Sequence, residues 1–317
     1  MTLVLTRGDL ESVLEPEACL AVLREGFRTA DAVPVAGQRV RTGLPFPGTA
    51  TALIPGLLPG IEAYTVKVNA KFPGAQPALR GVICLHSGQD GALLALLDSA
   101  TVTAWRTGLA AALGTHVLAG SGSGSASGEV LGVIGAGAQA DLMVRGLTVL
   151  RPHGELVVHD TDAERAAEFA ARHGGRVAGS AKDVATAADT VLMATWARSP
   201  LLRLADTREG QHFTSLGADE PGKEELAADL LRAALLVVDH RELAASMGAL
   251  AAAGLPATAA DATLGDVLRS EHPGRASAGS RTVYAPVGLP WQDLALSWVA
   301  YEAAQREGIG RRVDLLA

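Results

Sequence analysis

The sequence predicts an α/β protein: a doubly wound parallel sheet joined to a discontinuous α+β domain. Three observations predict it. Residues 130–160 read as strand, glycine turn, helix, strand and acid. About 120 residues precede them, enough to form a separate folded unit. After them, strand-like and helical runs alternate, the pattern of a sheet covered by helices on both faces.

Taken in order, the chain opens on a short strand, Thr2–Leu5, and a helix that starts at Pro16, a favourable first helical position, and runs to about Ala30. Strand-like runs follow at 38–42, 49–54, 61–69, 81–86 and 93–97, and a helical stretch covers 100–119. The Gly/Ser tract from Gly120 to Gly128 has the composition of a flexible linker. Beyond it, strands are expected at 156–159, 190–194, 213–216 and 235–239, with helical patterns between them. One of these, 224–232, carries Leu226, Leu230 and Leu231 on its apolar face. After Gly254 the pattern weakens until 282–287 and a last amphipathic helix near 294–307, stopped by Gly308 and Gly310. A final helix so far from the sheet is read as returning to the N-terminal unit. The organisation is therefore a domain of 1–119 completed by 290–317, a linker at 120–128, and a second domain at 129–289.

The second domain carries the chemistry that is easiest to read. An apolar run from Val130 to Ile134 leads into Gly135-Ala-Gly137-Ala138-Gln139-Ala140, then a helical pattern, then a second apolar run ending on His159-Asp160. In that context the glycines form a dinucleotide-binding fingerprint of Rossmann type. Gly135 permits the tight turn, and Gly137 lets the backbone approach a pyrophosphate seated on the helix N-terminus. Ala140 replaces the third glycine and keeps helix and strand close. Asp160 stands 23 residues beyond Gly137, where a carboxylate accepts both ribose hydroxyls of NAD. The same carboxylate repels the 2′-phosphate of NADP, by roughly 4 kcal/mol at ~4 Å and an effective dielectric near 20, before screening. Asp162 adds negative charge, and Arg165 lies one helical turn further on. The cofactor expected is NAD. The first domain, β-rich and by itself exposing sheet edges and an apolar face, predicts a homodimer built through its strands and the last helix.

Composition excludes several other classes. The 317 residues carry a net charge of −7 with no Lys/Arg run, which argues against nucleic acid. Only two cysteines, Cys19 and Cys84, are present, so neither a disulfide scaffold nor a zinc site is suggested. The N-terminus does not read as a signal peptide, and no stretch of about 18 uninterrupted apolar residues reads as a membrane span. The cytoplasm is the expected compartment. The 8 histidines are scattered without metal-binding spacing, so no metal is expected. His86 and His212 read as packed structural residues, and His159 as a neighbour of the adenosine site.

An ordered set of short motifs adds a resemblance. It comprises Lys67-Val-Asn69, Leu97-Asp98, Thr103-Ala-Trp-Arg106-Thr107 and Gly135-Ala-Gly-Ala-Gln-Ala140. Further on come Leu216-Gly-Ala-Asp219-Glu-Pro-Gly-Lys223-Glu-Glu225-Leu226, Val287-Gly-Leu289, Gln292-Asp293 and Gly308-Ile-Gly310. Over nearly the whole chain this resembles the ornithine cyclodeaminase/mu-crystallin family. The resemblance implies a Rossmann domain joined to a dimerising domain built from both chain ends. It also implies action on the carbon–nitrogen bond at the α-carbon of an amino or imino acid. Arg41, Lys67 and Arg106 fall where the family places its carboxylate-binding and catalytic cations. A bidentate arginine fixes orientation as well as charge. Asp219 falls where the family handles the amine in acid–base catalysis, at the carboxyl end of an apolar strand. The bland alternative for Asp219 is an N-cap for a helix starting near Glu224. The cofactor set expected is Thr107, Gly135, Gly137, Ala138, Gln139, Asp160, Thr195 and Val287.

The chain departs from the family's pattern at Ala52, where a glutamate is usual, and at Gly108-Leu109, Pro286 and Pro290-Trp291. These departures are expected around the substrate and nicotinamide ends, so they bear on substrate and reaction. The first reading is an NAD(H)-dependent enzyme interconverting an α-amino acid and its imine. The second is a redox-neutral cyclodeaminase, which would need an acidic partner that Ala52 removes. The third is a dinucleotide-dependent binding protein without catalysis.

Overall fold

The structure is a computed structural model that describes residues 1–72, 75, 77–120, 129–218, 222–315 and 317. Residues 121–128 of the expected linker and the candidate Asp219 lie outside the described residues. The chain forms β1 (Thr2–Leu5), α1 (Arg7–Val13), α2 (Pro16–Thr29), β2 (Gln38–Gly43), β3 (Thr49–Gly56), β4 (Ala63–Lys71), β5 (Leu79–Ser87), β6 (Leu93–Asp98) and α3 (Ser99–Leu118). It continues with β7 (Leu131–Ile134), α4 (Ala138–Leu150), β8 (Leu156–His159), α5 (Ala163–His173), β9 (Arg176–Val177), α6 (Ala181–Ala187), β10 (Thr190–Met193), β11 (Arg198–Leu202) and β12 (His212–Ser215). The remainder is β13 (Glu224–Leu226), α7 (Ala228–Ala233), β14 (Leu235–Val238), α8 (Arg241–Met247), α9 (Ala249–Ala252), β15 (Ala262–Thr263), α10 (Leu264–Leu268), β16 (Thr282–Tyr284), α11 (Pro290–Glu307) and β17 (Arg311–Val313). Two compact units result, Met1–Thr107 with Leu289–Ala317, and Gly108–Gly288.

The first unit is built on a seven-stranded sheet ordered β17-β1-β6-β5-β4-β3-β2. β1 runs parallel to β6, and the ladder from β6 to β2 is antiparallel. Because strand side chains alternate, the register sorts residues into two faces. One cross-strand row reads Arg39–Leu53–Lys67–Ile83–Leu97. α11 packs against β3, β4 and β5 and against α2. Its first two turns are buried nearly all round. Trp291 stacks edge-on to Phe27 at 5.0 Å, and a Cβ on Gly26 would lie 2.2 Å from the Trp291 ring. The adjacent row, Val40–Ala52–Val68–Val82, lies on the opposite face, where Val40, Val68 and Ile54 are exposed. The row ends on Asp98, and among the described residues these three apolar side chains stay open to solvent.

The second unit is an eight-stranded sheet, all parallel, ordered β15-β14-β16-β12-β10-β7-β8-β9. β7, β8, β10 and β14 read near-continuously apolar, as strands buried on both faces do. From β7 the chain proceeds outward through β8 and β9, then returns to β10 on the other side of β7. That reversal is the switch point at which such sheets open a crevice beyond their carboxyl ends.

Four sequence expectations are corrected. The unit boundary falls inside α3, between Thr107 and Gly108, because the second half of this helix packs on α4: Gly108 fits against Leu142, and Gly146 against Leu109 and Ala112. The segment 224–232 is not one helix. Glu224–Leu226 is strand β13 paired with β11, and helix begins only at Ala228. Burial of the Glu225 carboxylate against donors from other loops holds this segment extended, overriding its helical apolar spacing. The chain after Gly308 is more than a helix stop, since β17 adds to the sheet beside β1. Finally, α1 was not anticipated; a capping box starts it, with Thr6 accepting the Asp9 N–H and Asp9 accepting the Thr6 N–H. Among the described residues, no helix is long and apolar enough to cross a membrane.

Candidate active site

In the second unit the fingerprint residues stand at the carboxyl ends of the parallel strands. Gly135 follows β7 with φ +91°, a conformation that favours glycine, and a Cβ there would meet the Ala194 carbonyl oxygen at 2.6 Å and Thr195 Cγ2 at 2.9 Å. The structure thus brings Gly135 and Thr195 together across the β7/β10 switch point. Gly137 is the N-cap of α4, and a Cβ there would meet nothing within 4 Å. Ala138 and Gln139 open the helix, and Ala140 is fully buried in the core between α4 and the sheet. The Gln139 Oε1 is buried and accepts no hydrogen bond among the described residues. An open helix N-terminus over two glycines, with a carboxylate at the next strand end, fits a dinucleotide diphosphate and ribose.

Asp160, directly after β8, is already organised. Its Oδ2 accepts the Ala136 N–H at 2.8 Å, and its Oδ1 accepts the Asp162 N–H at 2.9 Å. Arg165 reaches back to it at 3.3 and 3.4 Å and to Asp162 at 3.0 Å. Burial pushes the Asp160 carboxyl up, but these donors and the Arg165 charge outweigh it and hold the group below the usual carboxylate range. The group is therefore ionised, with a half-exposed guanidinium laid beside it.

Sequence reasoning passed over two carboxylates that hold this edge in place. Glu225 accepts from the Thr195 N–H at 2.7 Å, the Thr195 hydroxyl at 2.8 Å, the Ser215 hydroxyl at 2.7 Å and the Gly217 N–H at 2.8 Å. Burial pushes its carboxyl up against the pull of those four donors. It ties the loop after β10 to the loop after β12. Asp239, following β14, accepts the Val287 N–H at 3.0 Å and the Gly288 N–H at 2.5 Å, and so sets the position of Val287. No helix begins at Glu224, so the capping role considered for Asp219 loses its helix.

In the first unit, Lys67 and Arg106 converge. The Lys67 Nζ lies 2.7 Å from each carboxylate oxygen of Asp293 and 3.3 Å from the Thr103 hydroxyl. The Arg106 Nε lies 3.4 Å from Asp293 Oδ1, and its Nη1 donates to Gln292 Oε1 at 3.3 Å. Lys67, Arg106, Gln292 and Asp293 are buried, Lys67 at 1% exposure between Leu53 and Ile83 of its cross-strand row. Burial is the largest influence on the Lys67 ammonium and lowers its pKa; Asp293 opposes it, while the Arg106 and Arg39 charges add to it, and the balance stands at about 7. Thr107 follows Arg106 on α3 and closes the segment.

Arg41 is placed differently from Lys67 and Arg106. It is exposed and opposite Thr51, whereas Arg39 shares the row of Lys67. Asp293 and Gln292 were quoted only as a motif; the signal that could have singled them out is an acid and an amide opening an otherwise apolar helix. The departures also fall in unexpected places. Trp291, Gly108 and Leu109 are packing residues, and Ala52 lies on the sheet face opposite Lys67. His212 is buried between the Thr282 and Thr214 hydroxyls, at 2.8 Å from each. His159 contacts the Ala178 carbonyl at 3.2 Å.

Comparison with known proteins gives the following. The profile of the ornithine cyclodeaminase/mu-crystallin family matches residues 1–308. The alanine dehydrogenase of Archaeoglobus fulgidus is 28% identical over 323 residues, covering 98% of both chains. The ketimine reductase mu-crystallin of Mus musculus is 30% identical over 278 residues, covering 86% of this chain and 83% of that protein. The L-lysine cyclodeaminase of Streptomyces rapamycinicus is 32% identical over 253 residues, covering 75% and 70%. Among solved structures, an archaeal alanine dehydrogenase dimer with bound NAD superposes with a TM-score of 0.92 at 27% identity, covering 99% of both chains. The Δ1-pyrroline-2-carboxylate reductase of Thermococcus litoralis, in complex with NADH and L-proline, gives 0.90 at 26% identity, covering 98% of this chain and all of that one.

Proposed function

The chain belongs to the ornithine cyclodeaminase/mu-crystallin family, and on that premise we propose that it is an NAD(H)-dependent enzyme interconverting an α-amino acid and its imine, open-chain or cyclic, at the α-carbon. The observation that carries the reading is the buried cation group at Lys67 and Arg106. Removing a lysine and an arginine from water within an apolar sheet core is costly. An α-carboxylate ligand gives that expense a purpose, since every amino or imino acid presents one. Lys67 and Arg106 hold that carboxylate and thereby fix the α-carbon in position. Asp219 moves the proton at the substrate nitrogen. Gly135, Gly137, Ala138 and Gln139 seat the dinucleotide diphosphate, Asp160 its ribose, and Thr107, Thr195 and Val287 its nicotinamide end. NAD supplies the hydride acceptor, and NADH the donor.

The apolar outer face of the first unit supports a homodimer as the working form. Val40, Ile54 and Val68 lie exposed on neighbouring strands of that face, an apolar cluster that a second copy would cover. Val68→Glu should shift light scattering at micromolar concentration from dimer to monomer. Two cysteines without a disulfide fit a reducing compartment, the cytoplasm.

Incubation with NAD and with NADH against a panel of amino acids, cyclic imines, and keto acids plus ammonia tests the function. Net change in nicotinamide absorbance is expected. Ammonia release without it would replace this reading by the redox-neutral cyclodeaminase, and silence throughout would replace it by a binding protein.

A further inference from the structure

We infer that Asp293 is a positioning residue of the substrate site, holding the Lys67 ammonium and the Arg106 guanidinium as one group whose net charge matches a single carboxylate. This rests on the proposed roles of Lys67 and Arg106. Asp293 is the sole carboxylate that the structure gives either cation among the described residues, and it is shared between them. Both its oxygens reach Lys67, and Oδ1 also faces Arg106. It stands near the N-terminus of α11, where the helix dipole favours an anion. Gln292 beside it accepts from Arg106 and from the Leu289 N–H, which fixes the guanidinium against the same helix start. With Lys67 protonated, Lys67, Arg106 and Asp293 together carry two positive charges and one negative. A bound α-carboxylate brings it to neutrality, whereas two cations without Asp293 would leave a buried excess.

Position and proton are coupled here. The charged groups facing Lys67 are Asp293 from α11, Arg106 from α3 and Arg39 from β2, with the Thr103 hydroxyl as a polar neighbour. Burial, Arg106 and Arg39 all push Lys67 toward the neutral amine; Asp293 alone holds the proton on. Near neutral pH the lysine stands close to its balance point of about 7. Removing the Asp293 charge tips it to the neutral amine, and the carboxylate site then loses a cation.

The test uses the full-length protein with NADH and pyrrole-2-carboxylate, a planar carboxylate shaped like a cyclic imine, followed by calorimetry across neutral pH. In the wild type, affinity should fall as pH rises through the Lys67 balance point. In Asp293→Asn that fall should move to lower pH by about one unit, so that affinity at neutral pH drops about fivefold while NADH affinity is unchanged. Arg106→Gln should move it the other way, because it removes a cation and leaves Asp293 wholly to Lys67. In a Lys67→Ala background, Asp293→Asn should produce no further pH shift. An unshifted pH profile in folded Asp293→Asn would overturn the inference. Should that variant fail to fold, an unshifted profile in Arg106→Gln would overturn it instead. If Lys67→Ala binds the carboxylate as well as the wild type, the reading of Lys67 itself fails. Loss of binding there with an unmoved Asp293→Asn profile condemns Asp293 alone.

Discussion

The turn at Gly135 and the cation group at Lys67 are both assembled sites, but they are written in the sequence at different ranges. Gly135, Gly137 and Asp160 come from one β-α-β stretch, and their spacing is set by strand and helix lengths. Lys67, Arg106 and Asp293 come from a strand and two helices, with 226 positions separating the ion-paired Lys67 and Asp293. In the first case backbone conformation does the work: a positive φ, an open N-cap and two N–H groups aimed at a carboxylate. In the second case charge does the work, and it is held by packing that no local pattern encodes. A local site tolerates change in distant packing and fails when one backbone position changes. A non-local site behaves the opposite way.

The largest effects should come from breaking the cation group. Lys67→Ala should reduce kcat/KM by roughly 10³-fold, on the scale of losing a charged contact made in both ground and transition states. Arg106→Ala should act chiefly through KM. Asp219→Asn keeps shape but removes the proposed proton carrier, so it should lower kcat by about 10²-fold or more. Steady-state kinetics with the substrate found in the panel separates these three. NADH binding should survive in each, because the fingerprint lies in the other unit. Loss of NADH binding in Lys67→Ala would erase the distinction between the two sites.

Breaking the glycine turn should do the reverse. Gly135→Ala puts a side chain into φ +91° and a Cβ 2.6 Å from a backbone carbonyl oxygen, so the turn must open. Strain of this kind costs roughly 1–3 kcal/mol. Fluorescence titration should show NADH affinity falling by about tenfold or more, with a lowered Tm. Carboxylate binding by the first unit should be spared if measured without nucleotide. Normal NADH affinity would mean that the turn is not the diphosphate seat.

The same contrast explains what could be read from the chain and what could not. The strands 38–42, 49–54, 81–86 and 156–159 were legible because their period-2 or continuous apolar runs survive in the fold. The helix expected at 224–232 was misread because a buried carboxylate, satisfied by Thr195, Ser215 and Gly217, holds its first residues extended. Asp293 was quoted as part of a motif, yet its partner lies on a strand 226 positions away, and no spacing rule reaches that far. Arg41 shares the face of Lys67 one row further along the strands. Two arginines alternate on one strand face, and only the register Arg39–Leu53–Lys67 shows which of them shares the lysine's row.

The smallest expected effect lies within the local site, at the end of β8. Asp160 by itself should disfavour NADP, but the structure places Arg165 against it, 3.3 Å away and half exposed. The guanidinium has two possible partners: the carboxylates of Asp160 and Asp162 in the free protein, or a 2′-phosphate if one enters. Because Arg165 is solvent-accessible, its pairing is screened and its weight is of order 1 kcal/mol or less. Asp160, fixed by two backbone N–H groups, cannot turn away from a phosphate, so its repulsion persists. The wild type should therefore prefer NADH over NADPH, by a smaller factor than an isolated carboxylate would give. Arg165→Ala should widen that preference severalfold by weakening NADPH further. Asp160→Ser should narrow it by about tenfold, equivalent to roughly 1.4 kcal/mol, at some cost to NADH as the ribose loses its acceptor. Parallel titrations of both reduced cofactors against the three proteins decide the matter. Tighter NADPH binding by the wild type would show that Arg165 swings off Asp160 and governs the pocket.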